Sequence, residues 1–209
     1  MTQRQLTLVN KSASPTSLAV LQGSNEQNGV VAWLAKYAYP DTQIRFTWDD
    51  NDFCFVWAGT GQLSPGVLIE ASQVVPATLT EGNLIDLSYD SKNRTFFFHN
   101  QQTGDRAGTL TIRQDTSLPP NAIAAGIGMS GKPTLVVQAN PNMMTTFQPR
   151  TAYYLAFGAI TQGEIVDTQV VQPYAIEFPP NVVALTATLG PDNQWTVESD
   201  ILTTVTSDA

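Results

Sequence analysis

The chain has 209 residues, 42 % of them hydrophobic and only 13 % charged, enough for one large β domain or two of about a hundred residues with a core that needs no staple. Eighteen acidic residues against ten basic ones give a net charge of −8. Arg45, Arg94, Arg106, Arg113 and Arg150 stand singly, so nucleic acid and anionic membrane are excluded as partners, because phosphate binding needs clustered Lys and Arg.

Period-two alternation and β-branched or aromatic runs dominate the chain from its start. They predict strands at Leu6–Asn10, Ser17–Gln22, Gln43–Trp48, Phe53–Ala58, Val67–Ser72, Leu84–Tyr89 and Thr95–Asn100. The series continues with Ala107–Gln114, Ala122–Gly126, Pro133–Gln138, Met144–Pro149, Tyr153–Gly158, Gly163–Val171, Ala175–Phe178, Val183–Leu189 and Gln194–Ser199. Turn residues punctuate them, as at Gly59-Thr-Gly61, Asp90-Ser-Lys-Asn93 and Gly190-Pro-Asp-Asn193. Val30–Ala38, closed by Pro40, reads either as the one helix or as a strand followed by a bend. Many short strands at this spacing predict an all-β fold, an antiparallel β-sandwich.

An internal repeat near one hundred residues is visible. Tyr37–Phe46 aligns on Gln138–Phe147, with Ala38, Pro40 and Phe46 matching Ala139, Pro141 and Phe147. Gly66–Glu70 then resembles Gly163–Asp167, and Asn83–Leu87 resembles Asn181–Leu185. The expectation is two pseudo-repeated halves, 1–105 and 106–209, forming two units or one compact domain.

Cys54 is the single cysteine and lies in the apolar run Phe53-Cys-Phe-Val-Trp57, where a buried, inert thiol is expected. There is no apolar signal core at the start and no run of the ~20 apolar residues that a membrane span requires. Cytoplasmic localisation is the expectation.

Candidate chemistry is sparse. Gly126-Ile-Gly-Met-Ser-Gly-Lys132 matches G-x-G-x-x-G, but Pro133 replaces the Ser or Thr of a P-loop and Thr134–Val137 reads as strand. A phosphate loop must open a helix, so the segment is expected to be a hairpin connection. Trp48-Asp49-Asp50-Asn51-Asp52 concentrates carboxylates without the central glycine and distal Glu of a calcium loop. It is expected either to be a solvated hairpin turn or to form one edge of a cation or sugar site, with Trp48, Asp50, Asp52 and Trp57 as ligand-binding residues. His99 is the single histidine and has no G-x-S-x-G elbow to serve. Glu70, Glu164, Asp167 and Glu177 are the carboxylates from which a paired-acid glycoside hydrolase would draw. Tyr37, Tyr39 and the other strand aromatics are expected in cores, and Met143-Met144 as gap fillers. No cofactor is expected, and no catalytic residue.

Several segments taken together resemble the rhizosphere-expressed RhiA family. They are Ala32-Trp-Leu-Ala-Lys-Tyr-Ala-Tyr-Pro40, Phe53–Ala58 with Gly61–Gly66, Ala71-Ser-Gln73, Gly126–Gly131, Val137–Asn142, and Phe157-Gly158 with Gln162-Gly-Glu164. The likeness covers roughly residues 5 to 198 in unbroken order. It implies an abundant, cytoplasmic bacterial protein under quorum-sensing control in plant-associated rhizobia, with no assigned reaction and no catalytic residues to carry over. The expected function is therefore non-enzymatic, by ligand binding or self-association into a homo-oligomer. A carbohydrate-binding, lectin-like module is the first alternative and a carboxylate-dependent glycoside hydrolase the second.

Overall fold

The computed structural model describes residues 3–23, 29–149 and 152–200; Arg150 lies outside them. The first part of the chain forms β1 (Gln3–Asn10), β2 (Thr16–Gln22), β3 (Gly29–Val30), β4 (Leu34–Ala38), β5 (Gln43–Asp49), β6 (Phe53–Ala58), β7 (Gln73–Ala77), β8 (Leu84–Asp90) and β9 (Thr95–Gln102). The second forms β10 (Leu110–Gln114), β11 (Ala124–Met129), β12 (Lys132–Gln138), β13 (Met143–Phe147), β14 (Tyr153–Gly158), α1 (Thr168–Val171), β15 (Tyr174–Ile176), β16 (Ala184–Leu189) and β17 (Trp195–Ser199). The all-β expectation is met.

These strands make four sheets: sheet I, β17-β16-β1-β5; sheet II, β15-β14-β2-β4; sheet III, β9-β8-β10-β13; and sheet IV, β7-β6-β11-β12-β3. Sheet I faces sheet II through the rings of Trp48 with Tyr153 and Phe157 with Trp195. Sheet III faces sheet IV through Phe55 with Phe98 and Trp57 with Phe96. Pairing is antiparallel except at two places, β1 with β16 and β8 with β10, which run parallel. The order and sense of pairing in sheet I recur in sheet III, and those of sheet II recur in sheet IV. Thus β5, β6, β7, β8 and β9 correspond to β13, β14, β15, β16 and β17, about a hundred residues on. Every sheet combines strands from both sides of residue 105. The matched segments Gly66–Glu70 and Gly163–Asp167 lie against each other, with Ile69 N donating to Gly163 O and Ile165 N to Val67 O.

One hydrophobic cluster runs through both sandwiches, and Trp33 ties them. Its indole N–H donates to Met129 O on β11 at 3.0 Å, while its ring lies 5.3 Å from that of Trp48. β2, β6 and β11 are buried almost throughout instead of alternating. The outer faces explain this, because Val31, Ile69 and Ile165 cover sheet IV while Ala32, Ile160 and Val166 cover sheet II. Strands buried on both faces read as continuous apolar runs, and Phe53–Trp57 is one.

Several local expectations are overturned. Val30–Ala38 forms no helix: Val31, Ala32, Trp33, Leu34 and Ala35 are all buried, so no helical face is distinguished, and backbone pairing with Thr134 and Glu164 holds the start extended. Gly163–Val171 is not one strand. Glu164 and Ile165 make only isolated bridges, to Leu68 and Val31, and the chain then turns into α1, whose N-terminus Asp167 caps by accepting from Gln169 N and Val170 N. β7 was absent from the expected strands because Pro76 interrupts it, yet a sheet edge tolerates a missing N–H. Tyr37 and Tyr39 are 60 % and 63 % exposed, and Met143 and Met144 are 51 % and 66 % exposed, so none fills a core. These four lie on or beside β4 and β13, which are edge strands.

The glycine segment is a hairpin, as expected. Ser130 and Gly131, at φ 50° and 72°, make the two-residue turn that joins β11 to β12, and both positive angles suit a type I′ turn. Gly126 and Gly128 sit within β11, where the neighbouring strand leaves no room for a side chain. A Cβ on Gly126 would lie 2.0 Å from Leu135 O. Gly126→Ala is expected to destabilise the protein by about 3 kcal/mol in urea titration, whereas Gly59→Ala, with nothing within 4 Å, should change it by less than about 0.5 kcal/mol.

Candidate functional site

The four residues singled out from the sequence do not form one site. Trp48 is the last residue but one of β5 and is 3 % exposed; Asp50 begins the turn after the strand and is 6 % exposed. Asp50 accepts from Arg4 Nε at 2.6 Å, from the Tyr153 hydroxyl at 2.6 Å and from Trp48 Nε1 at 3.1 Å. The Trp48 N–H is shared with the Tyr153 hydroxyl oxygen at 3.0 Å. Arg4 also donates to Val182 O and lies over the Phe178 ring. Burial pushes the Tyr153 phenol far above its ordinary value, and its hydrogen bond to Asp50 adds to this. The carboxylate is thus spent within the protein, at the inner wall of a 560 Å³ hollow that Glu177 flanks.

Asp52 is exposed and, with Asp49, lines a separate 440 Å³ hollow against Glu81 and Gln101. The turn is no hairpin, since β5 belongs to sheet I and β6 to sheet IV. Trp57 lies in the other sandwich, its indole N–H donating to Gln73 Oε1 at 2.9 Å and its ring packed on Phe96. Among the described residues, no group of three or more His, Cys, Asp or Glu side chains is placed to hold a metal ion. Cys54 is buried; desolvation, and then the nearby Asp52 charge, push its thiol up to about 11. Sequence reasoning missed Arg4, Tyr153 and Phe178, which lie so far from Asp50 along the chain that no local pattern links them.

A Ser–His–Asp grouping is present on sheet III. Ser88 Oγ lies 2.8 Å from His99 Nε2 and 2.5 Å from Asp115 Oδ2. In a catalytic triad the acid orients the imidazole and the imidazole takes the hydroxyl proton. Here the acid bonds the hydroxyl directly. Burial raises the Asp115 carboxyl, but hydrogen bonds from Ser117 and Ser88 and the His99 charge outweigh it and leave it below the usual range. An ionised Asp115 accepts the hydrogen bond of the Ser88 hydroxyl, so His99 Nε2 donates to Ser88 Oγ and is no base toward it. Beside it, burial likewise raises Asp86, yet hydrogen bonds from Arg113 and Asn100 hold it low, with Arg113 Nε at 2.6 Å. The cluster pins neighbouring strands.

A wider hollow than those beside Asp50 and Asp52 lies where the ends of β14 and β17 meet α1 and β15. It is an 800 Å³ groove whose walls include Phe157, Glu164, Asp167, Val170, Tyr174 and Trp195. Its origin lies in a local difference between the two corresponding units. β7 runs five residues along β6, but β15 follows β14 for only three, because the preceding chain has turned into α1. Where Trp57, Phe96 and Gln73 close the sandwich of sheets III and IV, Phe157 and Trp195 stand 6.3 Å apart at the wall of an open groove in the sandwich of sheets I and II. Val170, 75 % exposed on α1, overlooks it. Of the acids considered for hydrolysis, Glu164 and Asp167 share this groove, Glu177 flanks the hollow near Arg4, and Glu70 is exposed outside both.

Fold and groove define a class: an all-β protein of two interlocked sandwiches with a lateral groove beside α1. The family model named RhiA matches residues 1–200. The chain is also 36 % identical over 211 residues to Protein RhiA of Rhizobium leguminosarum bv. viciae, covering 94 % of this chain and 86 % of that protein. It belongs to the RhiA family. No solved structure matches it.

Two outcomes follow from the polar clusters. Asp50→Asn leaves the guanidinium of Arg4 enclosed without its counter-charge, and urea titration should show a loss of about 3 kcal/mol; Tyr153→Phe should cost about 1–2 kcal/mol. Asp86 and Asp115 have folded-state carboxyl pKa values below their unfolded ones, so the unfolded chain binds more protons in that window. Their contribution is present above the unfolded value and lost as pH falls through the folded one. Thermal midpoints should therefore drop as pH falls below about 4, and Asp86→Asn/Asp115→Asn should flatten that drop.

Proposed function

We propose that this is a non-enzymatic binding protein whose ligand seat is the groove beside α1. The observation that carries the reading is the contrast between the two corresponding units, one closed by a full-length edge strand and the other opened into an 800 Å³ groove. That volume is within the range of small-molecule sites. In support of a role without chemistry, the Asp50 carboxylate, the Ser88 hydroxyl and the Cys54 thiol are each engaged or enclosed within the fold. Asp167, one of the two carboxylates on the groove, accepts hydrogen bonds at the N-terminus of α1. This argues against the paired-acid hydrolase, which needs both acids available to substrate.

Self-association is the second reading, favoured by the exposed Tyr37 and Tyr39 beside edge strand β4 and Met143 and Met144 on edge strand β13. Unpaired edges with apolar side chains invite pairing. The net charge of −8 supports partners that are neither nucleic acid nor anionic membrane. Among the described residues no helix is long and apolar enough to cross a membrane. A cytoplasmic setting accords with the single unpaired Cys54. Likeness to a rhizobial protein supports a place in plant-associated, population-density-dependent growth.

Thermal-shift screening of the full chain against a metabolite and oligosaccharide panel tests the reading. At least one compound should raise the melting temperature and quench tryptophan fluorescence in the native protein but not in Tyr174→Ala. A panel without any such compound would remove the groove as a ligand seat.

A further inference from the structure

The chemistry of the groove wall narrows its ligand, on the premise that the groove is the ligand seat. None of the residues on the wall is Lys, Arg or His, and two are carboxylates, Glu164 and Asp167. An anion placed there would meet like charge with no counter-charge in reach, and the net charge of −8 makes the approach unfavourable as well. A wholly apolar ligand is also mismatched, because covering Glu164 without a hydrogen bond strands a charged group away from water. Glu164 is half-buried, and its side chain makes no hydrogen bond or ion pair with the described residues. Its backbone is held on both sides, donating to Thr161 O and accepting from Ala32 N, so the carboxylate projects from a fixed point.

What remains is a ligand that donates hydrogen bonds to planar oxygens while presenting apolar faces to rings. Tyr174 is 43 % exposed on the groove wall, which it shares with the rings of Phe157 and Trp195. Asn193 and Gln194, on the β16–β17 loop, add amides that both donate and accept. A small organic cation would satisfy the carboxylates but leave those amides and most of an 800 Å³ groove without contacts. A pyranose satisfies all of them: its C–H face lies against an aromatic ring, and its hydroxyls donate to carboxylates and exchange hydrogen bonds with amides. We propose that the groove binds a neutral saccharide of at least two rings, with Tyr174 as the stacking ring and Glu164 as the hydroxyl acceptor. The sugar site so placed does not use Trp48 or Trp57, whose indoles are committed to internal hydrogen bonds.

The test is saturation-transfer NMR and calorimetry of the full chain with three probe sets: neutral gluco-, manno- and galacto-oligosaccharides, tetramethylammonium and choline as organic cations, and oligogalacturonate as the anionic sugar. A neutral oligosaccharide should bind, with an affinity little changed between about 50 and 500 mM NaCl. Tyr174→Ala should weaken it roughly tenfold and Tyr174→Phe much less, since the ring is retained. Glu164→Gln should weaken it by several-fold with an unchanged melting temperature. Binding of cations or of oligogalacturonate without any neutral sugar would overturn the saccharide assignment while leaving the groove as a seat. Sugar binding indifferent to both Tyr174→Ala and Glu164→Gln would place it outside the groove and overturn the assignment too. No binding by any probe set, joined to a metabolite panel without a hit, would overturn the assignment and the binding reading together.

Discussion

The enclosed carboxylate of Asp50 is the constraint around which the first sandwich is organised. It draws the Arg4 guanidinium from β1, the Tyr153 hydroxyl from β14 and the Trp48 indole from β5 to one point. β1 and β5 belong to sheet I and β14 to sheet II, so the network spans the interface between the sheets. A buried ion pair adds little net stability over an apolar substitute, but breaking one side of it is costly. Its value here is positional, because Trp48 and Tyr153 in turn seat Trp33, whose N–H reaches β11 in the other sandwich. A chain of aromatic rings therefore connects the Asp50 carboxylate to the glycine-rich hairpin.

That hairpin illustrates how close packing sets sequence. Gly126 and Gly128 admit the backbone of β12 at distances that any side chain would forbid. The glycines that mimic a nucleotide-binding motif are a consequence of strand approach. The outer covering of sheets II and IV has a similar cause, since segments following β3 and β14 fold over them and bury strand faces that would otherwise alternate. The groove appears where this covering changes course at α1.

Much of this was legible from residues alone. Strand runs such as Phe53–Ala58 and Tyr153–Gly158 are found at the stated boundaries, because β-branched and aromatic residues fit a pleated, packed surface. The hairpin nature of Gly126–Lys132 followed from Pro133 and the β-rich run after it. Val30–Ala38 stood open between helix and strand because the unbroken burial of Val31–Ala35 erases periodicity there. β7 was hidden by Pro76, and α1 by the β-branched residues Ile165, Val166, Thr168, Val170 and Val171 in and before it. Asp50 was visible as one acid in a cluster, but its role was not, for its partners Arg4 and Tyr153 come from positions 46 and 103 residues away.

The sequence by itself determined the β class, the turns, the exclusion of a phosphate loop and the spacing near one hundred residues at which related strands recur. These depend on local propensity and on side-chain alternation, which a single strand carries with it. Tertiary structure alone decided which strands pair. Each sheet takes strands from both sides of residue 105, and β1 with β16 and β8 with β10 run parallel. Pairing is fixed by long-range backbone hydrogen bonds that any extended segment could make. Likewise only the folded chain places Phe157, Glu164, Tyr174 and Trp195 around one groove, because a shortened edge strand and one turn of helix leave that volume unfilled.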